Sequence, residues 1–288
     1  MKMKAMLLLG ALFGLAFGNG NPTYRLYNGN GKSIRYQKMI RQLKNADIVF
    51  FGELHNDPIA HWLELQIARD LHKQKGDRLV LGAEMFEADN QKGLQAYLKG
   101  ELSEEEMTQR VRLWKNYYTD YRALVELAKT EGLPFVATNI PRRYASMVFR
   151  GGLDVLERLD KEEKRWMAPL PIAFDPNVNC YKKMLEMGNG HKGKNNLNFP
   201  KAQAIKDATM AYFILQNWEK GKLFLHFNGS YHSNNFEGII WYLKRARPDL
   251  KILTIATERR RDIRKLEESL KGISSFLLMV PEDMTRTY

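Results

Sequence analysis

The chain is nearly free of cysteine: Cys180 is the only one in 288 residues. A lone thiol excludes an internal disulfide framework, so packing must hold the fold. With no Cys after the apolar run near the start, lipid anchoring of the N-terminus is also unsupported. Past that run, no apolar stretch reaches the roughly 20 residues a spanning helix needs. Internal repeats and interdomain linkers are lacking too, which leaves one large domain as the expectation for residues 19–288. Acidic residues are in deficit, 33 Asp and Glu against 45 Lys and Arg, for a net charge of +12.

The N-terminus carries Lys2 and Lys4, an apolar run from Ala5 to Phe17, and small residues Ala16 and Gly18. This is the pattern of a removable export signal over residues 1–18, too short to span a bilayer. The expectation is therefore a periplasmic or cell-surface protein. The basic balance suits carboxylate-bearing ligands or anionic lipid, and export argues against nucleic acid. Most of the charge, as at Lys182, Lys183 and Arg259 to Arg261, reads as solvated faces, and Cys180 as an incidental thiol.

Six short apolar runs read as buried strands: Asp47 to Phe51, Leu79 to Ala83, Pro134 to Thr138, Lys222 to Phe227, Lys251 to Ala256 and Ser275 to Val280. Helical patterns alternate with them. That order predicts an α/β fold: an open, mostly parallel sheet with helices on both faces. The clearest helix has Asp57 as N-cap, Pro58 at its first position, and Ile59, Trp62, Leu63, Ile67 and Leu71 along one side. Residues 90–131 read as a helical insertion with Trp114, Tyr117, Tyr118 and Tyr121 close together. Residues 150–200 begin helical and turn irregular, as a lid or loop would.

The chemistry concentrates at strand ends. The first strand runs into Gly52-Glu53-Leu54-His55 and the fourth into Gly229-Ser230-Tyr231-His232. Between them the second strand ends at Glu84, and the third at Asn139-Ile140-Pro141-Arg142-Arg143-Tyr144. A parallel sheet brings all of these to one edge, outside its carboxyl ends, where open α/β folds bind ligands. One Gly-x-x-His is a weak signal; two on one edge beside Glu84 and Arg142 predict a shared cleft. His61, His72, His191 and His226 lack this context and read as satisfied or solvent-facing residues.

As a set, Phe50-Phe51-Gly52-Glu53-Leu54-His55, Gly82-Ala83-Glu84-Met85-Phe86, Trp114 with Tyr118 and Tyr121, Asn139-Ile140-Pro141-Arg142, Asp207-Ala208-Thr209-Met210-Ala211 and Gly229-x-x-His232 resemble the ChaN-like haem-binding uptake family. Its superfamily also holds the Tiki metalloproteases and erythromycin-esterase-like hydrolases. The resemblance spans nearly the whole chain after the export segment. It implies haem as ligand, a role in haem or iron acquisition, a tyrosine ligand to the iron, a pocket that two protomers can share, and an outer-membrane haem receptor as partner. Many relatives are lipoproteins; this chain departs from them in lacking the lipobox cysteine.

Ferric haem needs an axial donor, aromatic or apolar surface and cations for two propionates. Tyr144 stands beside Arg142 and Arg143, whose guanidiniums match carboxylates bidentately. Tyr118, Tyr121 and Tyr231 are further phenolate candidates, and His55 and His232 are imidazole candidates. A second reading is a metal-dependent hydrolase, in which His55, His232 and Glu84 hold a divalent transition metal and Glu53 is the base, since two imidazoles and a carboxylate leave one position for water. In a third, the paired histidines only close turns. The residues leave these open, with a non-enzymatic haem binder ahead of an enzyme.

Overall fold

A computed structural model describes residues 22–188 and 197–288. The export segment over residues 1–18 and the polar stretch around His191 lie outside the described residues.

Seven strands form one open sheet among the described residues: β1 (Arg25–Asn28), β2 (Ile48–Glu53), β3 (Leu79–Glu87), β4 (Phe135–Asn139), β5 (Leu223–Gly229), β6 (Ile252–Arg260) and β7 (Phe276–Pro281). Their order is β1-β7-β6-β2-β5-β3-β4, with β1 antiparallel to β7 and every other pairing parallel. The helices are α1 (Tyr36–Leu43), α2 (Pro58–Lys75), α3 (Gln91–Leu98), α4 (Glu104–Arg110), α5 (Arg122–Glu131), α6 (Arg142–Gly151), α7 (Lys161–Lys164), α8 (Asn179–Gly188), α9 (Asn198–Asn217) and α10 (Ile239–Ala246). The α/β architecture expected from the sequence is the one observed.

The period-two geometry of β2 explains how both faces are covered. Val49 and Phe51 pack into one core with Leu63 and Ile67 of α2 and Leu124 and Val125 of α5. Ile48 and Phe50 point the other way, against Met210 and Ile214 of α9 and Ile240 and Leu243 of α10. Each such side chain, removed from water, contributes about 1.5–3 kcal/mol. Residues 90–131 are the expected helical insertion, with α3, α4 and α5 between β3 and β4. Irregular residues 165–178 then lead into α8, which packs on α9 through Tyr181 and Ala204.

Two elements differ from the expectation. Strand β1 was not legible: four residues with two buried side chains give no pattern, and the strand it pairs with, β7, lies at the far end of the chain. Strand β3 runs past Glu84 to Glu87, with a register shift against β4 between Ala83 and Glu87. Such irregularities re-aim side chains at sheet edges, and Glu84 sits inside this one. His226 is a satisfied core residue, its Nδ1 3.0 Å from Asn228 Oδ1 and its Nε2 2.7 Å from Thr138 Oγ1. Burial pushes its pKa down to about 4, so it is neutral.

Candidate functional site

Strands β2 and β5 are neighbours with Glu53 opposite Gly229, so both Gly-x-x-His motifs leave the sheet at the same point. Their glycines are required for space, not for a left-handed turn. Gly229 has an ordinary φ of −55°, but a Cβ there would lie 2.7 Å from His55 Nε2. A Cβ on Gly52 would lie 2.9 Å from Ser230 Cα. The two turns pack directly on each other, and any larger side chain would part them.

Helix α2 starts immediately after the first motif because Asp57 Oδ1 accepts the Ile59 and Ala60 backbone N–H groups, each at 3.1 Å. The second Asp57 oxygen meets Arg259 of β6 at 2.9 Å. This fixes His55 in a turn held at both sides. His55 Nδ1 is 2.5 Å from Glu53 Oε1, and its ring stands edge-on to Trp114 with centroids 4.9 Å apart. About a third of the His55 side chain is exposed, and it faces the cleft.

Two buried ionic groups flank this histidine. In the first, Glu84 Oε2 accepts the Gly229 N–H at 2.9 Å while Oε1 lies 3.2 Å from His232 Nε2. His232 Nδ1 lies 2.5 Å from Asp207, whose other oxygen accepts the Tyr181 hydroxyl at 2.8 Å. Burial opposes a charge on His232, but the Glu84 and Asp207 carboxylates outweigh it and lift the pKa to about 10. Burial likewise opposes the Glu84 carboxylate, yet His232 and His55 hold its pKa below the usual range. Burial raises the Asp207 pKa despite His232.

In the second group Glu53 Oε1 accepts the Tyr121 hydroxyl at 2.7 Å, and Oε2 faces His61 Nδ1 at 3.2 Å. Glu64, one helical turn past His61, has Oε2 3.1 Å from the same nitrogen. Burial would suppress charge on His61, but Glu53 and Glu64 raise its pKa to about 11. Burial and the Glu53 charge push Glu64 well above the carboxylate range, whereas hydrogen bonds from His55 and His61 overcome burial and hold Glu53 below it.

The cleft has two lobes of about 520 and 620 Å³, both bordered by His55, Glu84, Lys206 and Tyr288. Those volumes are in the range of roughly 300–1,000 Å³ typical of cofactor sites. Trp114, Arg112 and Arg142 face the smaller lobe; Phe199, Tyr231, His232 and Arg259 face the larger. Phe199, Gln203 and Lys206 follow the i, i+4, i+7 rule on α9, which turns one stripe of that helix to the cleft.

The structure brings together Glu53, His55, Glu84, His232, Arg142 and Tyr231, but not every residue expected from sequence. Tyr144 is 2% exposed, packs with Ile140 and Val148, and borders neither lobe. It follows Arg142 in the chain, but α6 turns it into the core. Tyr121 is 2% exposed, its hydroxyl spent on Glu53. Arg143 is paired with Asp89 outside the cleft, and Tyr118 is exposed but borders neither lobe. Of the expected metal set, His232 and Glu84 are in contact and His55 faces the same cleft, with a carboxylate at each His232 ring nitrogen. Among the described residues, the group of three whose donor atoms lie within 4.8 Å of one another is Glu53, His61 and Glu64.

Sequence reasoning set His61 aside as a satisfied or solvent-facing residue and did not single out Glu64, Gln203 or Lys206. The apolar stripe of α2 explained that helix without His61 and Glu64. A His and a Glu three apart on a buried face was the available signal, as was Asp207 among apolar neighbours on α9.

The chain is thus an open α/β protein with an ionic, aromatic-edged cleft at its sheet's carboxyl edge. Residues 39–243 match the family described as haem-binding uptake, Tiki superfamily, ChaN, and the chain belongs to it. Among solved structures it is similar to ChaN of Campylobacter jejuni, in which haem binds cofacially. The two are 18% identical with a TM-score of 0.68, covering 89% of this chain and 96% of that one. Weaker likenesses are to a Bacillus cereus protein (12% identity, TM-score 0.48, covering 85% and 90%) and to the MARTX toxin effector domain RRSP of Vibrio vulnificus (17%, 0.45, covering 85% and 39%). Among curated proteins none matches the chain.

Proposed function

We propose that this chain binds haem in the two-lobed cleft and serves haem or iron acquisition outside the cytoplasm. The observation that carries this is the cleft lining: aromatic side chains Trp114 and Phe199 beside the cations Arg142 and Lys206, with Arg112 paired to Glu87 and Arg259 to Asp57 at its border. Haem asks for this combination, since the macrocycle seeks apolar contact and each propionate seeks a cation. Membership of the haem-binding uptake family supports the same ligand. Hand-over to an outer-membrane receptor and pairing of two protomers around haem belong to this reading through the family resemblance.

Of the four tyrosines considered, Tyr231 best suits the role of iron ligand, because it borders the larger lobe and is 39% exposed. Among the described residues its hydroxyl makes a 3.3 Å hydrogen bond to the Cys180 carbonyl. Tyr231→Phe removes that hydroxyl alone, so the fold should persist while the haemin complex loses its phenolate charge-transfer band. Absorption spectra of the two haemin complexes check this; an unchanged band in the variant removes Tyr231 as ligand.

Export rests on Lys2, Lys4 and the Ala5 to Phe17 run. Material recovered from outside the cytoplasm should begin near Asn19 by N-terminal sequencing. Protein retained in the cytosol with Met1 in place would contradict it. No helix among the described residues is long and apolar enough to cross a membrane.

A further inference from the structure

We propose that Glu53, His61 and Glu64 form a buried site for a divalent transition-metal ion, separate from the cleft ligand. All three residues are almost fully buried, between 0% and 6% exposed. Nothing in haem binding at the cleft requires two carboxylates and an imidazole to be buried on the inner side of Glu53.

Three independent features point to a cation. The first is spacing. Zinc bonds of about 2.0–2.2 Å to nitrogen and oxygen in a tetrahedron set donor–donor edges of roughly 3.3–3.6 Å. His61 Nδ1 lies 3.2 Å from Glu53 Oε2 and 3.1 Å from Glu64 Oε2, and one donor atom of each residue lies within 4.8 Å of the others. The second is unmet demand: Glu64 Oε1 is a buried oxygen without a hydrogen-bond partner, and Glu53 Oε2 has the 3.2 Å approach of His61 Nδ1. A buried oxygen left in this state is costly unless an ion or proton sits against it.

The third feature is the support behind the donors. His61 Nε2 is 3.2 Å from the His55 carbonyl oxygen and 3.5 Å from Asp120 Oδ2. Those acceptors keep a proton on Nε2, as in histidine ligands held by an outer acceptor, and a bound ion takes the place of the second proton, the one that the two carboxylates hold on Nδ1. The Tyr121 hydroxyl holds Glu53 from its other oxygen. With the protons of His61 Nδ1 and Glu64 displaced by the ion, two carboxylates and a neutral imidazole balance a 2+ charge, and the mixed nitrogen and oxygen set suits zinc or its first-row neighbours.

The test uses Co²⁺ as probe on the full chain after treatment with a chelator. The expected result is one equivalent bound, a visible ligand-field band, and a rise in melting temperature because the ion binds the folded chain. Glu64→Gln keeps the shape and removes a negative donor; it should bind Co²⁺ at least tenfold more weakly and lose the band. His232→Ala should keep both. Less than stoichiometric Co²⁺ in the wild type overturns the proposal, because a shared proton then fills the gap. A band lost in His232→Ala but kept in Glu64→Gln overturns it as well, placing the ion in the cleft. Since the wild-type titration stands alone, a variant that fails to fold leaves the test intact.

Discussion

Glu84→Ala is expected to cost on the order of 3–5 kcal/mol of stability, the range for removing one partner of a buried ion pair. The loss has two parts. His232 would keep only Asp207 as its counter-charge, and the Gly229 N–H would lose its acceptor at the junction of β2 and β5. At about 2–4 °C per kcal/mol for a domain of this size, the melting temperature should fall by roughly 10 °C. Circular dichroism melting measures it, and a shift under about 2 °C would show the pair to be slack.

The same group predicts a pH signature. His232 holds its proton more tightly in the fold, with a pKa near 10 against 6.5 unperturbed. Its contribution is therefore full below about 6.5 and lost as pH rises toward about 10. Glu84 is shifted down, so its contribution is present above the carboxylate range and lost in acid. Wild-type stability should thus fall between pH 6.5 and 10, and less steeply in Glu84→Ala. Parallel melting curves over that window for both proteins would contradict the assignment.

Lys206→Glu should weaken haemin binding by about 10- to 100-fold while leaving the fold intact. Lys206 borders both lobes, and its charge is felt by the Glu84 carboxyl. A charge-assisted bond to a propionate is worth about 1.5–3 kcal/mol, which converts to that range of affinity. Reversal of sign beside Glu84 adds repulsion. Titrations at fixed ionic strength compare the proteins, and equal affinities would place the propionates elsewhere.

The strands that frame the cleft were legible because each is a mostly apolar buried run, and β2 and β5 also carry a glycine at the turn that follows. The convergence of His55, Glu84 and His232 followed from parallel order alone. What the sequence could not give was side-chain direction after each turn. Tyr144 and Arg142 are two residues apart, yet α6 buries one and presents the other to the cleft. The partners of each histidine were hidden for a similar reason: Asp207 and Glu64 come from helices whose register against the sheet depends on packing, not on local pattern. The short strand β1 had too few residues to show a period.

Haem in the cleft edged by Trp114 and His55 is tested most directly by haemin titration of the wild type and Trp114→Phe, followed by absorbance and tryptophan fluorescence. Saturable binding at a fixed ratio of haem to chain is expected, with a shifted Soret band and a component of quenching that is missing in Trp114→Phe. Haemin that fails to saturate, or quenching identical in both proteins, would contradict it.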